Sequence, residues 1–147
     1  MNRNWRWFLP GYAWALLGTL IGLLLCIFYR AHDFRWHQGV LTCVAPKSNV
    51  IGHPGAQTWG WLIIYTDPRY RTEPWGAELR THEYTHVAQG FVLGPIFLLV
   101  YGLFFVVFYF TKQPDEQVGW HDDYMRNPFE KHAYRVGARH TADSWGA

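Results

Sequence analysis

The sequence lacks the features that mark several common classes of protein. Its two cysteines, Cys26 and Cys43, do not have the paired spacing of a zinc ribbon or the pattern of a disulfide framework. Its basic residues are scattered and the net charge is only +2, so nucleic-acid binding is not expected. Internal repeats and low-complexity segments are also absent, and 147 residues leave room for one compact domain.

Apolar residues are plentiful, and they are gathered into two blocks that carry no charge. The first block, residues 7–29, is long enough for a helix to cross the hydrocarbon layer, and it predicts a transmembrane anchor within residues 1–30. A cleaved signal peptide is less favoured, because the block is too long and no small-residue cleavage site follows it. The second block, residues 96–110, is short for a full span. The lipid bilayer is therefore an expected partner.

The remaining sequence predicts a mainly α fold with a small β element. A short strand is expected at residues 39–44, within an otherwise irregular polar stretch over residues 31–56. A second strand is expected at residues 58–66, which are rich in aromatic and β-branched side chains. Helices are predicted at residues 75–91, ended by Gly94-Pro95, and at residues 128–141, with Asn127 as N-cap and Pro128 in the first turn.

The motif that points to chemistry is His-Glu-Tyr-Thr-His at residues 82–86, an HExxH pattern inside the predicted helix. Histidines four residues apart lie on one face of a helix, so His82 and His86 can share one Zn²⁺. Glu83 is then placed to act as general base and to take a proton from water that zinc has acidified. The competing interpretation is a pair of solvated surface histidines.

Two histidines do not complete a catalytic zinc site, so a third protein ligand is expected. Glu130 is favoured because it lies in the first turn of the last predicted helix and would give a His₂Glu set. The residues alone leave other candidates open, which are His121, Asp122, His132, His140 and, upstream, His53.

Three segments carry a resemblance to a family. They are LRTHEYTHVAQ at residues 79–89, Leu-Gly-Pro at residues 93–95, and YMRNPFEKHAY at residues 124–134. They resemble a group of small, uncharacterised bacterial membrane-associated proteins whose HExxH sites look like those of minimal, gluzincin-like zincins. The resemblance covers roughly residues 50–140 and implies that Glu130 is the third ligand. Residues 31–147 are accordingly expected to form a zincin-like metal-binding domain. It supplies no substrate.

A membrane-anchored zinc metallohydrolase, with a peptide or protein as substrate, is the function that these patterns predict. The expected location is the bacterial inner (cytoplasmic) membrane, with the face of the domain left open because basic residues flank the first block on both sides. Block 96–110 should not span, since His86 and Glu130 must lie on the same side. It is expected to pack beside the motif helix or to dip into one leaflet.

Two further roles are assigned to residues around the motif. The strand at residues 58–66 is equally compatible with binding an extended peptide and with a plain core or membrane-facing role. Candidates for oxyanion stabilisation or ligand support are Tyr124, Tyr134, His121 and Arg135. The rival functions are a non-catalytic metal-binding or assembly protein and a purely structural membrane protein.

Overall fold

A small mixed sheet lies within a mainly helical fold in the computed structural model, which describes residues 9–46, 55–111 and 127–145. Its strands are β1 (His32–His37), β2 (Val40–Val44), β3 (Ala56–Trp59) and β4 (Leu62–Tyr65). They are ordered β1-β2-β4-β3; β2 and β4 run parallel, while the two outer pairs are antiparallel. In the described part of the chain β3 is thus an edge strand.

The described residues also form six α-helices. They are α1 (Leu9–Trp14), α2 (Leu16–Phe28), α3 (Arg69–Thr72), α4 (Ala77–Leu93), α5 (Pro95–Thr111) and α6 (Pro128–Trp145). A 3-10 turn over Pro74–Gly76 leads into α4. The predicted helices at residues 75–91 and 128–141 are confirmed, and so are the stop at Gly94-Pro95 and the N-cap, where Asn127 Oδ1 accepts the Phe129 N–H at 3.0 Å.

The sheet separates two helical layers, because the side chains of β4 alternate between its faces. Leu62 and Ile64 belong to an apolar cluster with Cys26 of α2, whereas Ile63 and Tyr65 belong to one with Val87 of α4. All four β4 side chains are buried, as expected for a central strand with a helix on each face. The motif helix α4 is therefore held on one face of a rigid sheet.

The last helix packs along α4 and completes this layer. The close approach occurs at Gly137, where a Cβ atom would lie 3.1 Å from the carbonyl oxygen of Glu78. A larger residue at this position would push the two helices apart. The contact brings the first turn of α6, which carries Glu130, alongside the HExxH turns of α4.

The prediction of one strand over residues 58–66 was wrong, since the segment forms most of a hairpin. Gly60 has φ +62° and, with Trp61, makes the two-residue turn between β3 and β4. The strand at residues 39–44 is confirmed as β2, but β1 was predicted to be irregular. The turn from β1 to β2 has positive φ at Gln38 and Gly39. Every residue of β1 is exposed, so its sequence lacks the alternation of apolar and polar residues that would predict a strand.

The first apolar block forms two helices, α1 and α2, where one was predicted. The β3–β4 turn packs against the break, and Thr19 and Tyr12 accept hydrogen bonds from the backbone and the indole of Trp61 at 3.0 and 3.3 Å. Taken singly, none of the described helices is long and apolar enough to cross a membrane. By length and composition the pair Pro74–Leu93 with Pro95–Phe104, which is bent by 118° at the break between them, could do so.

Candidate metal centre

The three predicted ligands come together between α4 and α6. The Nε2 atoms of His82 and His86 lie 3.0 Å apart, and each is 3.2 Å from one carboxylate oxygen of Glu130. His82 and His86 project from the same face of α4, and Glu130 approaches from the first turn of α6. Among the described residues, these three form the one group of side chains that could hold a metal ion.

The spacing of the donor atoms fits a tetrahedral ion. Bonds of about 2.0 to 2.1 Å at tetrahedral angles separate donor atoms by about 3.3 Å, close to the 3.0 and 3.2 Å observed. Two imidazoles and a carboxylate are also the donor types that zinc prefers. The cluster therefore has the composition and the dimensions of a three-ligand zinc site.

The hydrogen-bonding of Gln89 indicates which nitrogen of His86 faces the cluster. The Gln89 Nε2 donates to the Phe129 carbonyl at 3.2 Å, which leaves Oε1 to accept from His86 Nδ1 at 2.8 Å. Nδ1 of a neutral His86 then carries the proton, and Nε2 presents a lone pair to the cluster. This is the tautomer that a metal ligand requires.

Burial makes the cluster costly without a cation. Glu130 is 0% exposed, and its Oε2 receives no well-directed hydrogen bond from the described residues; the same holds for the buried Nδ1 of His82. Burial alone would raise the pKa of Glu130, but the adjacent imidazoles outweigh it and hold the pKa of this carboxyl far below its usual range. Glu130 is thus an ionised, fully buried carboxylate, which is stable only beside positive charge.

The charge of Glu130 in turn acts on His86. Burial lowers the pKa of His86, but the hydrogen bond and the negative charge of Glu130 outweigh that effect and raise it above its usual value. Without a metal, a proton shared with Glu130 supplies the positive charge, and a divalent cation would replace it.

Glu83 lies close to the cluster without belonging to it. Its negative charge adds to the effects that raise the pKa of both His86 and Tyr134. Its Oε2 accepts a hydrogen bond of 2.6 Å from the Thr58 hydroxyl of β3, and its side chain is buried. The edge strand thereby fixes one oxygen of the carboxylate predicted to be the general base.

Sequence reasoning missed three side chains that support the cluster. Tyr101 of α5 donates a 2.5 Å hydrogen bond to Glu130 Oε1, Gln89 orients His86, and Thr58 holds Glu83. Only Gln89 carried a local signal, since it lies three residues after His86 on the same helix. Tyr101 and Thr58 reach the cluster through tertiary packing, for which the sequence offers no spacing rule.

The other predicted residues are less central. Tyr134 packs edge-on against His82, with ring centroids 4.5 Å apart. Arg135 and His132 of α6 are exposed, and His132 contacts Gln89 at the periphery. His53, His121, Asp122 and Tyr124 lie outside the described residues, as does the side chain of His140 in α6.

Comparison with known proteins returned no matching family model, no similar curated protein and no similar solved structure. The resemblance to minimal zincins therefore stays an expectation, and the geometry of the site has to carry the functional argument.

Proposed function

We propose that this protein is a zinc-dependent metallohydrolase, a peptidase of the zincin type, that works at the bacterial cytoplasmic membrane. The observation that carries the proposal is the convergence of three buried donor atoms at 3.0 to 3.2 Å, with a further carboxylate, Glu83, beside them. A purely structural site has no need of that extra carboxylate, since burying it is costly.

Each residue has a distinct role in the proposed reaction. His82, His86 and Glu130 hold Zn²⁺, which would supply Lewis-acid polarisation of water and of a carbonyl group. Glu83 accepts the proton of the attacking water and later passes it to the leaving amine. Thr58 keeps one oxygen of Glu83 occupied, so that the other oxygen is the one that exchanges the proton.

Tyr134 is the favoured group for stabilising the oxyanion. Its ring lies against His82, and burial, reinforced by the charge of Glu130, raises its pKa, so that the phenol stays protonated and can donate a hydrogen bond. The exposed Arg135 lies on the same helix without such a contact to the cluster in the described structure. Of the two candidates that the structure describes, Tyr134 therefore has the supporting geometry.

An extended peptide is the substrate class that the architecture favours. Among the described strands β3 lies at an edge of the sheet, and through Thr58 it contacts the proposed general base directly. A peptide that adds to this edge by main-chain hydrogen bonds would run past the cluster with a carbonyl group near Glu83. β4 is paired on both sides and has no free edge for this purpose.

Membrane contact is supported by the outer faces of α2 and α5. Both helices are free of charged residues, and they touch where a Cβ atom at Gly18 would lie 3.6 Å from Leu98. Leu24 and Phe28 of α2 and Leu99 and Leu103 of α5 are 60 to 79% exposed. Such a broad apolar surface is typical of a face covered by lipid.

The orientation of α5 brings this surface near the metal centre. Tyr101 reaches Glu130 from one side of the helix, while Leu99 and Leu103 lie exposed on the other. The cluster is then about one helix diameter, ~10 Å, behind the apolar face. Substrates at the bilayer surface would be favoured.

Vesicle binding tests the membrane part of the proposal. Leu24→Glu and Leu99→Glu should each reduce cosedimentation with phosphatidylglycerol-phosphatidylcholine vesicles by about tenfold or more, because burying one leucine contributes about 1.5–3 kcal/mol. Thr72→Glu, at an exposed position of α3, introduces the same charge and should bind like the parent. Equal binding by all variants would remove the lipid-facing assignment.

A second candidate is a metal-binding protein that hydrolyses nothing. The observation in its favour is that all four site residues, His82, Glu83, His86 and Glu130, are buried, which restricts access to the metal position. This candidate predicts tight zinc binding without turnover. In such a protein, the hydrogen bond from Thr58 to Glu83 would have a purely structural role.

Glu83→Gln separates the two candidates. In the zinc-loaded full chain, this change should lower hydrolysis of fluorescein-labelled casein by about 10²–10⁴-fold, the usual contribution of a general base. Its zinc content should be unchanged, since Glu83 is not a ligand. Glu78→Gln, at an exposed position of the same helix, is the matched control and should keep its activity. Zinc-loaded parent protein without any zinc-dependent cleavage would favour the second candidate.

A further inference from the structure

The two cysteines form a pair on the face of the sheet opposite the metal centre. Cys26 lies in α2 and Cys43 in β2, and their Sγ atoms are 3.3 Å apart. A disulfide bond is about 2.05 Å long, so the sulfurs have to approach by only about 1.2 Å. The chain therefore brings both thiols almost to bonding distance although they are 17 positions apart in the sequence.

The surroundings of the two cysteines favour a disulfide bond between them and do not favour a single reactive thiol. Cys26 is 3% and Cys43 is 0% exposed, and they share an apolar cluster with Ala45, Leu62 and Ile64. A nucleophilic cysteine needs a basic or electropositive neighbour and access to solvent. Here the polar contact of each thiol is the other thiol.

We propose that Cys26 and Cys43 form an intramolecular disulfide that clamps α2 to the sheet, formed as the chain folds by exchange with a disulfide oxidant. The bond would close a loop that contains β1 and the turn to β2, and would hold in place the helix that carries part of the apolar face. It is independent of the zinc proposal, because the pair and the metal centre lie on opposite faces of the sheet.

The chemistry is ordinary thiol–disulfide exchange. The thiolate of one cysteine attacks an oxidant disulfide and expels one oxidant thiolate, and the second cysteine then attacks the mixed disulfide and expels the other. The two protein thiols release two protons, and the oxidant takes up two electrons and two protons as two thiols. Because both sulfurs are buried in the native fold, the exchange has to precede their burial.

The inference also bears on the side of the membrane. Such a bond persists where the surroundings are oxidising, as in the bacterial periplasm, and is disfavoured in the cytoplasm. A disulfide in protein isolated from membranes would therefore place the domain on the periplasmic face. The distribution of basic residues around the first apolar block does not decide between the two faces.

Refolding with glutathione tests the proposal on the full chain in detergent micelles. Folding in a buffer of oxidised and reduced glutathione should lower the intact mass by about 2 Da, as two thiol hydrogens leave. Maleimide added in denaturant should then label no cysteine, and Tm should exceed that of the reduced protein by roughly 10 °C.

Cys26→Ala and Cys43→Ala are the matched controls. Each should fold with a Tm that does not rise with the oxidant, and each should keep one thiol that reacts with maleimide or glutathione. The proposal is overturned if the refolded parent protein still takes up two maleimides in denaturant, or if its oxidised form has a Tm no higher than its reduced form. Zinc binding plays no part in either readout.

Discussion

The two faces of the central sheet differ in what they bury. On the α4 side, Ile63 and Tyr65 pack with Val87 of the helix that presents two imidazoles to the ionised carboxylate of Glu130. On the α2 side, Leu62 and Ile64 pack against apolar residues and a thiol pair. One strand thus separates a layer built for stability from a layer that contains buried charge.

The difference between the two layers shows where buried charge needs a partner. Apolar side chains are stabilised by burial itself, so the α2 layer needs no further partner within the protein. A fully buried carboxylate is unfavourable unless positive charge accompanies it. The Glu130 cluster therefore needs a proton or a cation beside it, and the proposed zinc ion would supply this positive charge.

Removing the Glu130 carboxylate should have the largest effect, because it takes away the buried negative charge that distinguishes the α4 layer from the α2 layer. In Glu130→Ala, zinc affinity should fall by more than about 100-fold, the upper end for changes in supporting residues alone. The rise of Tm on addition of zinc, expected for the parent protein, should disappear with it. Isothermal titration and thermal unfolding report both effects. Glu73→Ala, at an exposed position before α4, should leave both unchanged. If Glu130→Ala binds zinc like this control, Glu130 is not a zinc ligand.

A pair of core substitutions sharpens the comparison at neighbouring positions. Ile63→Ala and Ile64→Ala each create a cavity in β4 and should each lower the free energy of unfolding by about 2–5 kcal/mol. Only Ile63 packs in the cluster with Val87 of α4, so only Ile63→Ala should also weaken zinc binding. Urea unfolding of the apo proteins, with zinc titration of the folded ones, separates the two effects. Equal weakening of zinc binding in both variants would show that packing on the α2 face affects the metal centre as much as packing on the α4 face.

Gln89→Leu should produce the smallest of the three effects. It keeps a side chain of similar size but leaves Nδ1 of His86 without its acceptor, so the tautomer is no longer fixed. Zinc affinity should fall by about 10–100-fold while the ligand set stays intact. His132→Ala changes a peripheral contact of the same amide and should have little effect. A larger loss in His132→Ala than in Gln89→Leu would contradict this order.

The sequence was informative where a local rule links spacing to geometry. The HExxH spacing predicted that His82 and His86 share a face, and Asn127-Pro128 predicted where α6 starts. With the helix start known, Glu130 could be placed in a first turn. Its meeting with the two histidines depends on the packing of α6 along α4, which the resemblance implied but no periodicity could supply.

Other features depend on contacts between segments distant in sequence. In the sequence, Gly60 lies within an apparent strand. In the structure it forms a turn that packs against the break between α1 and α2. Cys26 and Cys43 look unrelated by spacing and meet only because α2 covers the sheet. Thr58 and Tyr101 carry no motif, and they reach Glu83 and Glu130 through tertiary packing.

Metal analysis of the purified full chain tests the central claim most directly. After reconstitution with zinc and removal of free ion, mass spectrometry should find close to one zinc per chain in the parent protein. The same preparation of His82→Ala should contain almost none. A parent protein that retains no stoichiometric zinc would contradict the account, and the cluster would then be a buried His-Glu-His ion pair that serves the fold alone.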